Sequence, residues 1–410
     1  MMDIRRACAA VICAVACFLW NPAQAETYNL GVALGLTGTG APYSREALEG
    51  VKLAVDEINE QGGLLGVHRI ALHVGNTKTK PEVAETVVSD LIGQDQVRAV
   101  IGTYSSATAL AIKPICRDHK VLHIAPISNA EEITKLDPSP YTFSVVPNTY
   151  MMAKATALGI ATLARERGWK RYVTIASDYA WGRSSQQIQV DLLARLAPDL
   201  ELVESFWPPL GYVGFNAFVV AILNIKPDFV LQSIAGADNA LWNRAVWDYR
   251  LADDVMIPGG LISVSELMNE GNWIVRGTYG RTRAPFFAHL DQPMMEAFVA
   301  SYLDKNGRHP TDWAVLGYDA VQALRQGIEK AGSIDSEVVK DAMKGMTVET
   351  TRGRLFFREI DNQLSASAYW GRVADDPAYD FPIYEDLIEF KAEAIWRPEA
   401  EILAARKAAQ

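Results

Sequence analysis

Cysteine, basic charge and long apolar runs are all scarce in this 410-residue sequence. Three of its four cysteines lie within the first 17 residues, so Cys116 stands alone in the remainder. A lone cysteine excludes an internal disulfide and a thiolate metal site there. Beyond residue 25 no stretch of about 18 residues is both apolar and uncharged, so we expect no membrane span in that part.

The charge balance is acidic, with 39 Lys and Arg against 49 Asp and Glu and a net charge of −10. No Lys/Arg-rich block occurs, which argues against a nucleic-acid partner or an anionic membrane surface. The sequence also has no Gly-x-Ser-x-Gly turn, Cys-His pairing or phosphate loop. We therefore predict no catalytic residues, no cofactor and no enzyme. His119 and His123 have helical metal-pair spacing, but they span a predicted helix–strand junction, so we predict no metal site.

The first 25 residues have the pattern of a secretory signal peptide. Arg5 and Arg6 precede an apolar stretch over 7–20, and Ala23-Gln24-Ala25 is a small-x-small cleavage site before Glu26. An uncleaved anchor helix is the alternative, but the apolar stretch is short for a span. We predict export to the periplasm.

The rest of the chain exceeds the size at which one core stops growing, so two domains are expected. Apolar runs such as 28–36, 97–102 and 121–128 alternate with amphipathic segments, and a second such series follows residue 148. This rhythm predicts parallel sheets covered by helices. The remaining tail is too small for a third core, and we expect it to recross and complete both units.

Polar and aromatic turns follow the predicted strands. Ligands of open α/β sheets bind beyond the carboxyl ends of the strands. These ends read LTGTG (36–40), GTYSS (102–106), PISNA (126–130), SDYAWG (177–182), SIAGAD (233–238) and PGGL (258–261). Hydroxyls at such turns are often only helix N-caps. Their recurrence favours a polar clamp with an aromatic wall, in which helix N-termini receive an anion.

Four stretches, 35–66, 100–109, 123–134 and 175–184, resemble the periplasmic solute-binding proteins of branched-chain amino-acid-type ABC importers, the leucine/isoleucine/valine-binding family. The resemblance implies an α/β fold of two Rossmann-like lobes with parallel-rich sheets, joined by a three-segment hinge. It places the N-terminal lobe at 26–146 plus 281–355 and the C-terminal lobe at 147–280 plus 356–410.

The resemblance also implies a set of ligand contacts. Ser106, with main-chain amides near Ile127 and Asn129, would hold a carboxylate, and Trp181 would close the cleft from the other lobe. Tyr43 matches a ring position of the family. The full predicted binding set is Tyr43, Tyr104, Ser105, Ser106, Ile127, Ser128, Asn129 and Trp181.

One departure from the family bears on the ligand. Branched-chain amino-acid binders have an acidic residue near Gly260 that pairs with the ligand ammonium, and glycine cannot do this. We therefore expect a small carboxylate with an apolar or aromatic body rather than a plain amino acid. The predicted role is a monomeric receptor that delivers this solute to a membrane permease. A periplasmic sensor for a signalling partner is the alternative from a different class, and an exported hydrolase is a third.

Overall fold

The computed structural model describes residues 26–409, in which strands and helices alternate; the predicted signal peptide lies outside this range. The first unit contains β1 (Tyr28–Leu34), α1 (Ala41–Glu60), β2 (Ile70–Asn76), α2 (Pro81–Gly93), β3 (Ala99–Gly102), α3 (Ser106–Asp118), β4 (Leu122–Ala125) and β5 (Thr142–Ser144). Its strands form a parallel sheet in the order β2-β1-β3-β4-β5. β3 and β4 are buried at every residue because helices cover both faces of the sheet.

The second unit has the same alternation. It contains α4 (Thr149–Arg167), β6 (Arg171–Ala176), α5 (Ala180–Leu196), β7 (Glu201–Phe206), α6 (Asn216–Ile225), β8 (Phe229–Ser233), α7 (Ala237–Asp248), β9 (Gly260–Leu261), α8 (Val264–Glu270) and β10 (Tyr279–Thr282). Strands β7-β6-β8 form a parallel sheet, and a parallel bridge joins Phe229 to Met256. The sequence predicts a strand over 255–260, but β9 is confined to Gly260–Leu261. Pro258, which has no N–H to donate, interrupts the predicted run.

The last part of the chain contributes to both units. It contains α9 (Pro293–Asn306), α10 (Asp312–Ala331), α11 (Ser336–Met343), the hairpin β11 (Thr347–Thr350) and β12 (Gly353–Phe356), then β13 (Ala368–Ala374), β14 (Ile383–Phe390), α12 (Ala392–Ile395) and α13 (Glu399–Ala408). Helix α10 packs on α1, whereas β13 and β14 join the sheet β14-β13-β10-β9. The predicted two-lobe α/β fold with a recrossing tail is confirmed; the exact lobe boundaries stay predictions.

Helices α1 and α10 cross in contact with each other through two glycines. A Cβ on Gly50 would lie 1.9 Å from the Ala314 carbonyl oxygen, and one on Gly317 would lie 2.1 Å from that of Ala47. Only glycine permits this approach of one backbone to the other. The crossing fixes the N-terminal ends of α1 and α10 side by side, and both ends carry aromatic residues of the site described below.

Across residues 26–409, no helix combines the length and the apolar character that a membrane crossing needs. Cys116 is buried on α3, and burial raises the pKa of its thiol to about 12.

Candidate functional site

A cavity of about 380 Å³ lies at the carboxyl ends of the strands, where the two lobes face each other. This volume is in the range of pockets for small organic ligands. The first lobe lines it with Gly38, Thr39, Tyr43, Lys78, Thr79, Lys80, Tyr104, Ser105, Ser106, Ile127 and Asn129. The facing wall consists of Tyr179, Trp181, Leu210, Ala235 and Leu261, and Arg283 and Trp313 lie where the chain recrosses.

Seven of the eight sequence-predicted binding residues line this cavity, and Ser128 does not. Ser128 is 1 % exposed, and its main-chain N–H donates to the Thr103 carbonyl at 3.0 Å. Its neighbours Ile127 and Asn129 both line the cavity. The structure thus leaves the buried Ser128 side chain outside the lining of this cavity.

The loop before α3 leaves polar groups available for a ligand. Ser105 is the N-cap residue, yet within the described chain its side chain makes no capping hydrogen bond. The Ser106 hydroxyl oxygen accepts a hydrogen bond from the Ala130 N–H at 3.1 Å. A hydroxyl that accepts in this way still has its own proton to donate. Ser106 can therefore donate to an anion in the cavity.

Four helices begin beside the cavity, namely α1, α3, α5 and α7, and their N-cap residues are Gly40, Ser105, Tyr179 and Gly236. None of these N-caps makes a side-chain capping bond to any described residue. The first turns of α1, α3 and α5 contain no acidic residue, whereas that of α7 contains Asp238. Uncapped helix N-termini present free N–H groups and a partial positive charge. Their convergence makes the cavity attractive to an anion.

Aromatic rings form two walls of the cavity. Trp313 stacks on Tyr43 with ring centroids 4.6 Å apart, and Tyr43 lies 5.9 Å from Tyr104. On the facing side Tyr179 and Trp181 are 6.0 Å apart. Burial is the main cause that raises the pKa of Tyr43 and of Tyr104, so both phenols are neutral. These rings provide flat apolar surfaces for an aromatic or aliphatic body.

The charged residues of the lining all carry the same sign. Lys78, Lys80 and Arg283 line the cavity, whereas none of the Asp or Glu side chains in residues 26–409 does. Arg283 is 4 % exposed, and its guanidinium lies 4.9 Å from the centroid of the Trp313 ring. Burial lowers the pKa of Arg283, and the nearby Asp312 carboxylate opposes this. The charged side chains that line the cavity are therefore all cationic, in a protein that is acidic overall.

Glu266 is a buried carboxylate near the cavity rings Tyr43 and Tyr104, but both of its oxygens already accept hydrogen bonds from the protein. One oxygen accepts a hydrogen bond from the Tyr43 hydroxyl, and the other accepts from the Ser263 N–H at 2.7 Å and from the Ser263 hydroxyl. Gly260 itself lies outside the cavity wall, to which its neighbour Leu261 belongs. No carboxylate is therefore placed to meet a ligand ammonium within the part of the chain described.

The two lobes are in contact at the N-terminus of α7. The Gly236 N–H donates to the Tyr43 hydroxyl at 3.2 Å. Gly236 has φ +65°, and a Cβ there would lie 3.1 Å from the Thr39 carbonyl oxygen. Glycine is therefore required for this close approach of one lobe to the other.

Sequence reasoning missed several lining residues. Lys78 and Lys80 lie in a turn beyond the carboxyl end of β2, so the strand-end rule could have found them. Tyr179 lies in the SDYAWG turn, whose sequence does not distinguish it from Trp181 as a lining residue. Arg283 follows β10, a four-residue strand that the sequence pattern does not predict, and Trp313 is the second residue of α10, so neither had such a signal.

Comparisons with known proteins agree with this fold. The family model described as "Periplasmic binding protein" matches residues 27–378. A Leu/Ile/Val-binding protein of Rhizobium johnstonii is 27% identical over 360 residues, which cover 86% of this chain and 93% of that protein.

Two solved structures have the same fold. An amino acid ABC transporter substrate-binding protein from Pseudomonas fluorescens Pf-5 superposes with TM-score 0.81 at 21% identity, covering 93% of this chain and 99% of its own. A solute-binding protein of an ABC transporter from Rhodopseudomonas palustris BisB5, solved with 3,4-dihydroxybenzoic acid, gives TM-score 0.79 at 22% identity, covering 91% and 99%.

Proposed function

Since this chain belongs to the periplasmic binding protein family, we propose that it captures a small organic acid without an ammonium group and delivers it to the permease of an ABC importer. The observation that carries this proposal is the sign of the lining: three cations and four uncapped helix N-termini, with no acidic side chain from the described residues. An α-amino acid would leave its ammonium without a partner in such a site, at a cost of several kcal/mol.

The carboxylate is held at the N-terminus of α3. Ser106 donates its hydroxyl proton, and main-chain N–H groups near Ser105, Ile127 and Asn129 complete the set. Hydrogen bonds to a charged group contribute about 1.5–3 kcal/mol each. Three of them with ring packing reach about 8 kcal/mol, which corresponds to micromolar affinity.

The body of the acid packs between Tyr43, Tyr104 and Trp181. The Rhodopseudomonas palustris protein of the same fold was solved with a benzoate-type acid, which supports an aromatic body here. Because the cavity lining comes from both lobes, ligand stabilises the closed arrangement that the permease would receive. We propose that the protein acts as a monomer after cleavage of residues 1–25 and alters no bond of its ligand.

The test is a ligand panel on residues 26–410, unfolded and refolded to remove any bound solute. Benzoate, 4-hydroxybenzoate and 3,4-dihydroxybenzoate are compared with leucine, isoleucine and valine by thermal shift and then calorimetry. Ligand at a hundredfold excess over Kd adds about 2.7 kcal/mol to stability, a shift of several degrees. Stabilisation by the amino acids and by none of the acids would refute the proposal.

Two serine variants locate the carboxylate. Ser106→Ala should weaken binding of the best acid by roughly fivefold to thirtyfold, the loss of one charge-assisted hydrogen bond. Ser128→Ala is the matched control, because its hydroxyl lies outside the cavity, and its affinity should stay within about twofold. Equal effects of the two variants would show that the α3 N-terminus does not hold the ligand.

A further inference from the structure

The Arg283 guanidinium has hydrogen-bond donors that the protein itself does not satisfy. Its Nε and Nη1 atoms are buried and have no hydrogen-bond partner in residues 26–409. Among the described residues no hydrogen bond joins these two nitrogens to a carboxylate, although the Asp312 carboxylate is near. A buried, unpaired cation is costly, so such a group persists where something else supplies its counter-charge.

Arg281, two residues earlier in β10, shows the contrast. It is 2 % exposed, and its Nη1 donates to the Gln189 side-chain oxygen at 3.0 Å and to the Thr156 hydroxyl at 3.3 Å. Arg281 does not line the cavity, whereas Arg283 does. The Arg281 Nη2 is also buried without a partner in the described residues, so the two arginines differ in degree and in place. Arg281 is bonded in part to the protein and lies away from the cavity, whereas Arg283 lines it.

Asp312 is near Arg283 but is engaged elsewhere. One of its oxygens accepts hydrogen bonds from the Thr282 hydroxyl at 2.6 Å and the Ala284 N–H at 2.9 Å. The other accepts from the Val264 N–H at 2.7 Å. With three donors aimed at it, this carboxylate holds the chain segments together and leaves the Arg283 nitrogens without a direct partner.

A series of aromatic contacts links Arg283 to the residue before the α3 N-terminus. Arg283 packs on Trp313, Trp313 stacks on Tyr43, and Tyr43 neighbours Tyr104, the residue just before Ser105. Lys78 and Lys80 add two exposed cations to the lining, and neither forms an ion pair with any residue the structure describes. The lining therefore has more positive charge than one carboxylate neutralises.

The geometry points to a second anion subsite at Arg283, so that the ligand is an acid with two anionic groups separated by an apolar or aromatic body. This inference rests on the proposed function, which assigns the first carboxylate to the α3 N-terminus. The second group, a carboxylate in the simplest case, accepts hydrogen bonds from the Arg283 guanidinium while the body lies along the Trp313–Tyr43–Tyr104 wall. A guanidinium fork suits a carboxylate because it donates two parallel hydrogen bonds.

The experiment pairs each diacid with its own monomethyl ester, which keeps the shape and removes one charge. Terephthalate, isophthalate and adipate, each beside its monoester, are titrated at pH 8 by calorimetry into refolded residues 26–410. At least one diacid should bind about tenfold to a hundredfold more tightly than its monoester. Arg283→Met should abolish that difference while leaving the affinity for the monoester within about threefold.

Arg244→Met is the matched control, because Arg244 also lies over a tryptophan ring, Trp273 at 5.1 Å, but is outside the cavity. It should preserve the preference for the diacid. Equal binding of diacids and monoesters, or a loss of monoester binding in Arg283→Met as large as that of the diacid, overturns the second subsite but leaves the proposed function standing. If no mono- or diacid of either panel binds the wild-type protein, the proposed function fails with it.

Discussion

The ligand cavity and the neighbouring carboxylate cluster, formed by Glu46, Glu266 and Asp312, are both buried and rich in polar groups, yet they are satisfied in opposite ways. In the carboxylate cluster protein donors meet the oxygens: Glu46, for example, accepts from Ser265 and Thr311 hydroxyls, each at 3.0 Å. In the cavity, the Arg283 Nε and Nη1 atoms have no hydrogen-bond partner among the described residues, and the N-caps of α1, α3, α5 and α7 make no side-chain capping bond there. Polar groups that the fold satisfies stabilise it, whereas the unsatisfied polar groups of the cavity remain available to a ligand.

The largest expected effect on stability is in the carboxylate cluster, whose oxygens accept hydrogen bonds from the protein. Asp312→Ala leaves three buried donors without an acceptor, so the free energy of unfolding should fall by roughly 3–5 kcal/mol in urea denaturation. Asp304→Ala, at an exposed position of α9, should change it by less than about 0.5 kcal/mol. A loss at Asp312 no larger than that of the control would show that the carboxylate cluster does not hold the segments together.

The second effect is a pH dependence of stability. Burial raises the pKa of Glu46 to about 7 from 4.5, while hydrogen bonds from Ser265 and Thr311 oppose this. The native state therefore keeps a proton that the unfolded chain has released, and stability is lost as the pH rises through this window. Between pH 5 and pH 8 the wild type should lose about 1–3 kcal/mol more than Glu46→Gln, measured by urea denaturation at each pH.

Glu85→Gln, at an exposed position of α2, is the control for that comparison and should follow the wild-type pH profile. If Glu46→Gln kept the wild-type pH profile, titration of Glu46 would not contribute to stability.

The smallest expected effect on stability is in the ligand cavity, at Arg283. Arg283→Met removes a buried cation that has no described partner and keeps an unbranched chain over Trp313. Its stability without ligand should equal or exceed that of the wild type by up to about 1 kcal/mol, even as diacid binding is lost. A destabilisation comparable with that of Asp312→Ala would mean that Arg283 is a structural residue.

The two regions also differ in how well they could be predicted from sequence. The family resemblance singled out Ser106 and Trp181. The strand-end rule marked the turns that contain them and Ser105, because parallel strands bring their carboxyl ends to one edge. It included Ser128, since a sequence does not show which way alternate side chains of a loop point. Whether Ser105 is a side-chain cap depends on a hydroxyl rotamer, which composition and periodicity do not encode.

The fold was predictable in its rhythm but not in its crossings. Alternating strands and helices, with the family resemblance, were enough for two lobes and a recrossing tail. Trp313 and Arg283 reach the cavity only because α10 packs on α1 and β10 leads back toward the first lobe. Such long-range contacts join residues about 270 positions apart, and local sequence patterns contain no record of them.

The glycine contact between α1 and α10 has a consequence for how this binding site can change. Since backbone touches backbone at Gly50 and Gly317, any larger residue at either position would push α1 and α10 apart and separate Tyr43 from Trp313. The helix contact therefore fixes the spacing of these two rings. Substitutions at Tyr179, Trp181 and Leu210 on the facing wall, in contrast, can alter solute preference and leave the helix crossing untouched.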